Sequence, residues 1–126
     1  MKKSLLFTVV AVILLTTCAL AGCGSPTEEE TAALADAQEA VGEDSQYWSP
    51  YLLETVLEYK GHSAEAIAYA VDNCGIDWNA NALNFAESLV YRSTVKINSR
   101  TDLVRHVVDM GYTEDQAKYA ADQLGY

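Results

Sequence analysis

The sequence predicts an all-α fold, with two tandem three-helix units of helix-turn-helix-like pattern placed after an export signal. Three observations carry this reading. Apolar residues recur at helical rather than alternating spacing. Most of the apolar stretches open on Ser or Thr, and most close on Gly, as capped helices do. The second half of the chain repeats the first at a nearly constant offset.

Taken in order, residues 1–22 form the signal peptide. Lys2 and Lys3 precede an apolar run from Leu5 to Leu15, and small residues follow. A spanning helix needs about 20 apolar residues, so the run is too short to cross a bilayer. Leu20-Ala21-Gly22-Cys23 resembles a bacterial lipobox, in which the Cys23 thiol takes lipid and the chain is cut just before it. Small Ala21 and Gly22 let the backbone lie extended in a peptidase cleft. Cutting there removes 22 of 126 residues and leaves 104. It also takes Lys2 and Lys3, so 6 basic residues face 18 acidic ones, a net charge of −12. That balance repels nucleic acid and anionic membrane and favours basic partners. With Cys18 lost and Cys23 lipidated, only Cys74 remains, so no disulfide can form within the mature chain.

Residues 23–30 read as the lipidated cysteine and an acidic tether, in which Thr27 and Glu30 also have the spacing of a capping box. The first repeat spans 31–77. Its first helix, near Glu28 to Val41, puts Leu34, Ala37 and Val41 on one face, and Gly42-Glu43-Asp44 breaks it. Ser49 and Pro50 open the second, with Leu53, Val56 and Leu57 inward and Gly61 as its stop. Ser63 opens the third, which carries Ile67, Ala70, Val71 and Cys74 up to Gly75.

The second repeat spans 78–126. Leu83, Ala86 and Val90 match Leu34, Ala37 and Val41 at an offset of 49. Ser99 caps the next helix, with Asp102 in capping-box position and Leu103, Val107 and Val108 inward. Thr113 caps the last, with Gln116 in the box position and Ala117, Ala120, Ala121 and Leu124 inward. Here the offset is 50, with Leu53, Gly61, Tyr69 and Gly75 recurring as Leu103, Gly111, Tyr119 and Gly125. Each unit is near the lower size limit for folding alone, so a shared interface or a continuous helix near Trp78 is expected.

The motifs narrow the chemistry. Ser63 to Cys74 contains no Lys or Arg, and Lys118 is outnumbered by Glu114, Asp115 and Asp122, so neither candidate recognition helix can neutralise phosphate. The Met110-Gly111-Tyr112 turn has the look of a ubiquitin-associated domain loop, but a glycine C-cap explains it. Asp77-Trp78-Asn79-Ala80-Asn81 mimics the start of an EF-hand loop, then fails: Ala82 holds the glycine position and Ser88 that of the bidentate glutamate. A capped helix start at Asp77 or Asn79 accounts for the same residues. His62 and His106 have no metal-ligand or nucleophile spacing around them. No enzyme, metal or cofactor is expected beyond the lipid on Cys23. Cys74 occupies the position of Leu124 and reads as a small apolar residue. Tyr47, Trp48 and Trp78 read as packing residues around the second helix and the junction.

The lipobox, the repeat and its punctuation together resemble the Ltp-like family of host cell surface-exposed lipoproteins. The most specific stretch is Tyr69-Ala70-Val71-Asp72-Asn73-Cys74-Gly75-Ile76-Asp77-Trp78-Asn79, beside Glu58-Tyr59-Lys60-Gly61 and Met110-Gly111-Tyr112-Thr113. Asn98 and His62 stand where that family carries aromatics. The resemblance implies a protein anchored by lipid on the extracytoplasmic face of the bacterial cell membrane. It also implies superinfection exclusion, in which a phage tail protein is bound and DNA injection blocked. Acidity adds a chemical expectation: Glu54, Glu58, Asp72, Asp109, Glu114, Asp115 and Asp122 are the candidates for holding a basic protein segment. A structural or adaptor module of the envelope, self-associating or binding a host surface protein, is the other reading. Steep salt sensitivity separates the charge-led reading from the apolar one.

Overall fold

Short polar side chains set where each helix begins. In the computed structural model, which describes residues 24–126, Thr27, Ser49, Ser63, Asp77, Ser99 and Thr113 each accept a hydrogen bond from the backbone N–H three residues ahead. Each thereby satisfies one of the donors left without an intrahelical partner. Six α-helices follow these caps: α1 (Glu28–Val41), α2 (Pro50–Tyr59), α3 (Ala64–Asn73), α4 (Trp78–Tyr91), α5 (Arg100–Asp109) and α6 (Glu114–Gln123). A 3-10 turn, η1 (Ser45–Tyr47), lies between α1 and α2, and no strand occurs among the described residues. The protein is all-α. Residues 1–23, with Leu20, Ala21, Gly22 and Cys23, lie outside the described residues.

Helix ends follow from glycine. Gly61, Gly75, Gly111 and Gly125 have φ values of 90°, 84°, 96° and 79°, the left-handed region that only glycine enters cheaply. Capping boxes form at Thr27 with Glu30 and at Thr113 with Gln116. The box expected at Ser99 does not close. Asp102 Oδ2 accepts instead from the N–H of Asn98, at 3.4 Å.

Two hydrophobic clusters result. Ala33, Ala37, Val41, Leu53, Leu57, Ile67, Ala70 and Val71 build the first, and Ala82, Ala86, Leu103, Val107, Tyr112, Ala117, Ala120 and Ala121 the second. Alanines on α1 and α3, and again on α4 and α6, let those helix pairs make the most extensive contacts in the chain. Leu53, Leu57, Leu103 and Val107 are the largest fully buried side chains, each contributing about 2 kcal/mol by apolar burial. Buried Ala33, Ala37 and Val41 lie 49 residues before Ala82, Ala86 and the part-buried Val90.

Several expectations change here. Leu34 is only partly buried, and Ala33 takes the central place on α1. Val108 does not face inward: it is 38% exposed, because it follows the fully buried Val107 by one residue and so stands about 100° round α5 from it. No helix runs through the junction, since α3 ends at Asn73 and α4 starts at Trp78. Trp78 itself packs against the first cluster, and its indole N–H donates to the Val71 carbonyl at 3.3 Å.

Candidate functional site

A buried amide organises the joint between the two helical groups. Asn81, on α4, is 5% exposed, and its Nδ2 donates to the carbonyls of Ser45 and of Trp48. These two bonds hold the connector before α2 against α4. The Trp48 carbonyl also accepts from the Tyr112 hydroxyl at 3.1 Å. A backbone bond, from the Tyr51 N–H to the Gly111 carbonyl at 3.2 Å, adds a fourth link. Tyr112 is 5% exposed, its ring stacks on Phe85 at a centroid distance of 6.1 Å, and burial pushes its phenol up to about 12.

Beside this joint a cleft of about 570 Å³ opens, lined among others by Tyr47, Tyr51, Leu52, Phe85, Met110 and Tyr112. A shallower groove of about 530 Å³ shares Tyr51, Asp109 and Tyr112 with it and extends past Glu54 and Val108. The floor is held by the buried Tyr112, whereas Tyr47 is 75% and Met110 52% exposed. Exposure at Tyr47 departs from the packing role expected of it. Trp48 does pack, against the first cluster.

Of the seven candidate acids, the structure brings Glu54 and Asp109 to one groove. Asp109 lies 3.9 Å from Arg105. Glu114 pairs with Lys118 at 2.6 Å, which holds the carboxyl below and the ammonium above their ordinary values. Asp122 is bound by Arg100, whose guanidinium also donates to the Tyr126 carbonyl. Glu58, Asp72 and Asp115 are exposed on α2, α3 and α6 and have no ion-pair partner among the described residues. The seven therefore do not form one cluster.

A second polar cluster went unseen in the sequence. Asp36 on α1 meets Lys60 Nζ at 3.1 Å and His62 Nε2 at 2.7 Å, and these contacts hold its carboxyl below the usual aspartate range. Glu29 accepts from the Ser63 N–H at 2.7 Å, which lowers its carboxyl too. Together they pin the α2–α3 turn to α1. A partial signal existed: positions 36 and 62 hold a charged pair where positions 85 and 112 hold an aromatic pair.

Cys74 is partly buried against the first cluster, and its thiol donates to the Val71 carbonyl. Asp77 caps α4 through the Ala80 N–H at 3.0 Å, the same role that explains its place in the sequence. Among the described residues no helix is long and apolar enough to cross a membrane, and no three metal-ligating side chains cluster. Compared with known proteins, the chain matches no family model, no characterised relative and no solved structure.

Proposed function

We propose that this chain is a non-enzymatic binding protein, held by lipid on Cys23 at the extracytoplasmic face of a bacterial membrane. There it captures a basic protein segment. The observation that carries the reading is the charge, 18 acidic residues against 8 basic ones in the full sequence, together with an exposed aromatic groove. Such a surface attracts cationic segments, gains speed of encounter from long-range attraction and repels nucleic acid. The lipobox supplies the anchor, since a diacylated cysteine binds membrane stably where one chain would be marginal.

The resemblance to Ltp-like lipoproteins gives this binding a purpose. The segment captured belongs to a phage tail protein, and its capture stalls DNA entry after adsorption. Superinfection exclusion is thus a consequence of placement and charge together. A sensitive host expressing the protein, beside one expressing Cys23→Ala, tests both parts, with adsorption and DNA entry scored separately. The expected result is normal adsorption and blocked entry, restored in the unanchored variant. Normal entry across a broad phage panel would remove the exclusion reading and leave the envelope adaptor in its place.

A further inference from the structure

We infer that the groove at the joint between the two helical groups is a peptide-binding site. Its occupant is a linear cationic segment carrying one aromatic side chain flanked by lysine or arginine. The inference rests on the reading above, that the chain captures basic protein segments, and it names where and how.

Three observations converge. First, exposed large apolar side chains gather here: Tyr47, Tyr51, Leu52 and Met110 line the cleft, and Val108 the groove continuous with it. Such gathering on one face marks an interaction site more often than scattered apolar exposure does. Second, the floor is rigid. Tyr112 is fixed by its stack on Phe85 and by its bond to the Trp48 carbonyl, so an entering ring meets a preformed wall and little ordering is required. Third, the rim is acidic. Glu54, Glu87 and Asp109 border the two hollows and Arg92 alone opposes them, so the lining carries a net charge of −2. Asp109 is held only loosely by Arg105, at 3.9 Å, and Glu54 and Glu87 have no ion-pair partner among the described residues.

An anionic rim around an aromatic floor suits a cation-flanked ring: the ring fills the cleft, and its neighbours meet carboxylates at the edge. A neutral apolar peptide would leave the rim unused. A second copy of this chain is a poor fit, because it would bring the same acids against one another. Of the seven candidate acids this selects Glu54 and Asp109, and it adds Glu87.

The test uses the full-length protein in zwitterionic micelles. The probe is a fluorescein-labelled peptide, Lys-Lys-Trp-Lys-Lys, followed by anisotropy, with an analogue in which alanine replaces tryptophan. Tyr47→Ser with Met110→Ser, both exposed and cheap to change, should weaken the tryptophan peptide about tenfold, as loss of a central anchor does. Glu54→Gln with Glu87→Gln should weaken it several-fold and flatten its salt dependence. Glu39→Gln with Glu65→Gln removes as much charge from α1 and α3, which line neither hollow, and should leave binding unchanged. Equal loss from both charge pairs, or equal binding of the alanine analogue, would overturn the site. So would a dimer in sedimentation that Tyr47→Ser with Met110→Ser dissolves, since the occupant would then be a second copy. Phage challenge separates the two levels. Groove-dependent peptide binding without exclusion keeps the site and removes the phage reading. Exclusion that persists in a protein showing no groove-dependent binding keeps the phage reading and removes the site.

Discussion

The turn that follows the middle helix meets its neighbours differently in the two halves of the molecule. In the first half, Asp36 on α1 faces Lys60 and His62 at the turn, a polar contact that stays partly wet. In the second, the positions 49 or 50 residues on hold Phe85, Met110 and Tyr112, an apolar contact with its phenol buried. The surroundings explain the difference. Around Gly111 and Tyr112 the chain must receive the connector of the other half, with Trp48, Ser49 and Tyr51 pressed against the turn. Among the described residues, no atom outside the turn lies within 4 Å of a carbon added at Gly61. One turn is an inner joint and the other an outer end, and in stacked helical units a polar outer end limits further stacking. The Asp36–Lys60 ion pair thus leaves that turn partly wet, while rings at Phe85 and Tyr112 make the joint and leave a hollow beside it.

The sharpest way to break this contrast is a single methyl at each glycine. Both turns have positive φ, 90° at Gly61 and 96° at Gly111, so alanine strains either backbone by roughly 1–2 kcal/mol. Only at Gly111 does the added carbon also collide, 2.6 Å from Tyr51 Cβ and 2.8 Å from Ser49 Oγ. Relieving that collision means moving the Tyr51 backbone, to which Cβ is fixed, and turning Ser49 Oγ away from the Leu52 N–H it caps, and costs about a further 1–3 kcal/mol. Gly111→Ala should therefore lower stability by about 3 kcal/mol or more. It should also split the thermal melt into two transitions as the joint opens. Gly61→Ala should shift one transition only, and by less than half as much. Calorimetry on the two variants decides the matter; equal shifts would mean the joint contributes nothing at Gly111.

The amide at Asn81 tests the same joint from the other side. Position 32, 49 residues earlier, holds an exposed alanine, so the amide is peculiar to the half that receives the connector. Asn81→Ala removes the donor to two carbonyls, and losing both hydrogen bonds, at about 1 kcal/mol each, costs about 2 kcal/mol. Hydrogen exchange should rise in residues 45–51 before anywhere else. Tyr112→Phe is milder, near 1 kcal/mol, because the Trp48 carbonyl keeps its bond from Asn81. A Tyr112→Phe loss as large as that of Asn81→Ala would show that the hydroxyl, not the amide, holds the connector.

Where sequence reading succeeded and where it stopped follows from the range of the forces. Caps at Ser49, Ser63 and Thr113 and stops at Gly61 and Gly111 act within a few residues, so local rules place them. Leu53, Leu57, Leu103 and Val107 follow from period alone. The joint is different. Asn81 bonds to residues 36 and 33 positions away, and Tyr112 to one 64 away, distances at which no local rule operates. Val108 differs for another reason: an apolar side chain reads as inward, but it stands about 100° round α5 from buried Val107, and its counterpart 50 residues earlier is the exposed Glu58. Glu54 and Asp109 were named for charge, and nothing in their spacing told that they share a groove while Asp72 and Asp122 stand elsewhere. Comparing the two halves residue by residue is the one sequence signal that points at the joint, through the change from Asp36 and His62 to Phe85 and Tyr112.

Acid offers the gentlest probe, because it reaches the outer end and spares the joint. Asp36 is held below its ordinary value of 3.8 by His62 and then by Lys60, and Glu29 below 4.5 by the Ser63 N–H. A carboxyl depressed in the folded state adds stability that is fully present above its unfolded value and is lost as pH falls through the folded one. The outer end should therefore hold at pH 5 and loosen from about pH 4 downward, as each carboxyl takes up a proton. Phe85 and Met110 offer no titrating group, and the Tyr112 phenol titrates far above this range, so those contacts should not respond. Glu29 is exposed and Asp36 only partly buried, so the effect is small, and Asp36→Asn with Glu29→Gln should remove most of it. Hydrogen exchange in residues 60–63 and 110–113, the turns alone and short of the Glu114–Lys118 pair, compared at pH 5 and pH 3 after correction for intrinsic rates, reads the two turns separately. Equal loosening of both would mean that the ion pairs at Asp36 contribute nothing to holding the first turn in place.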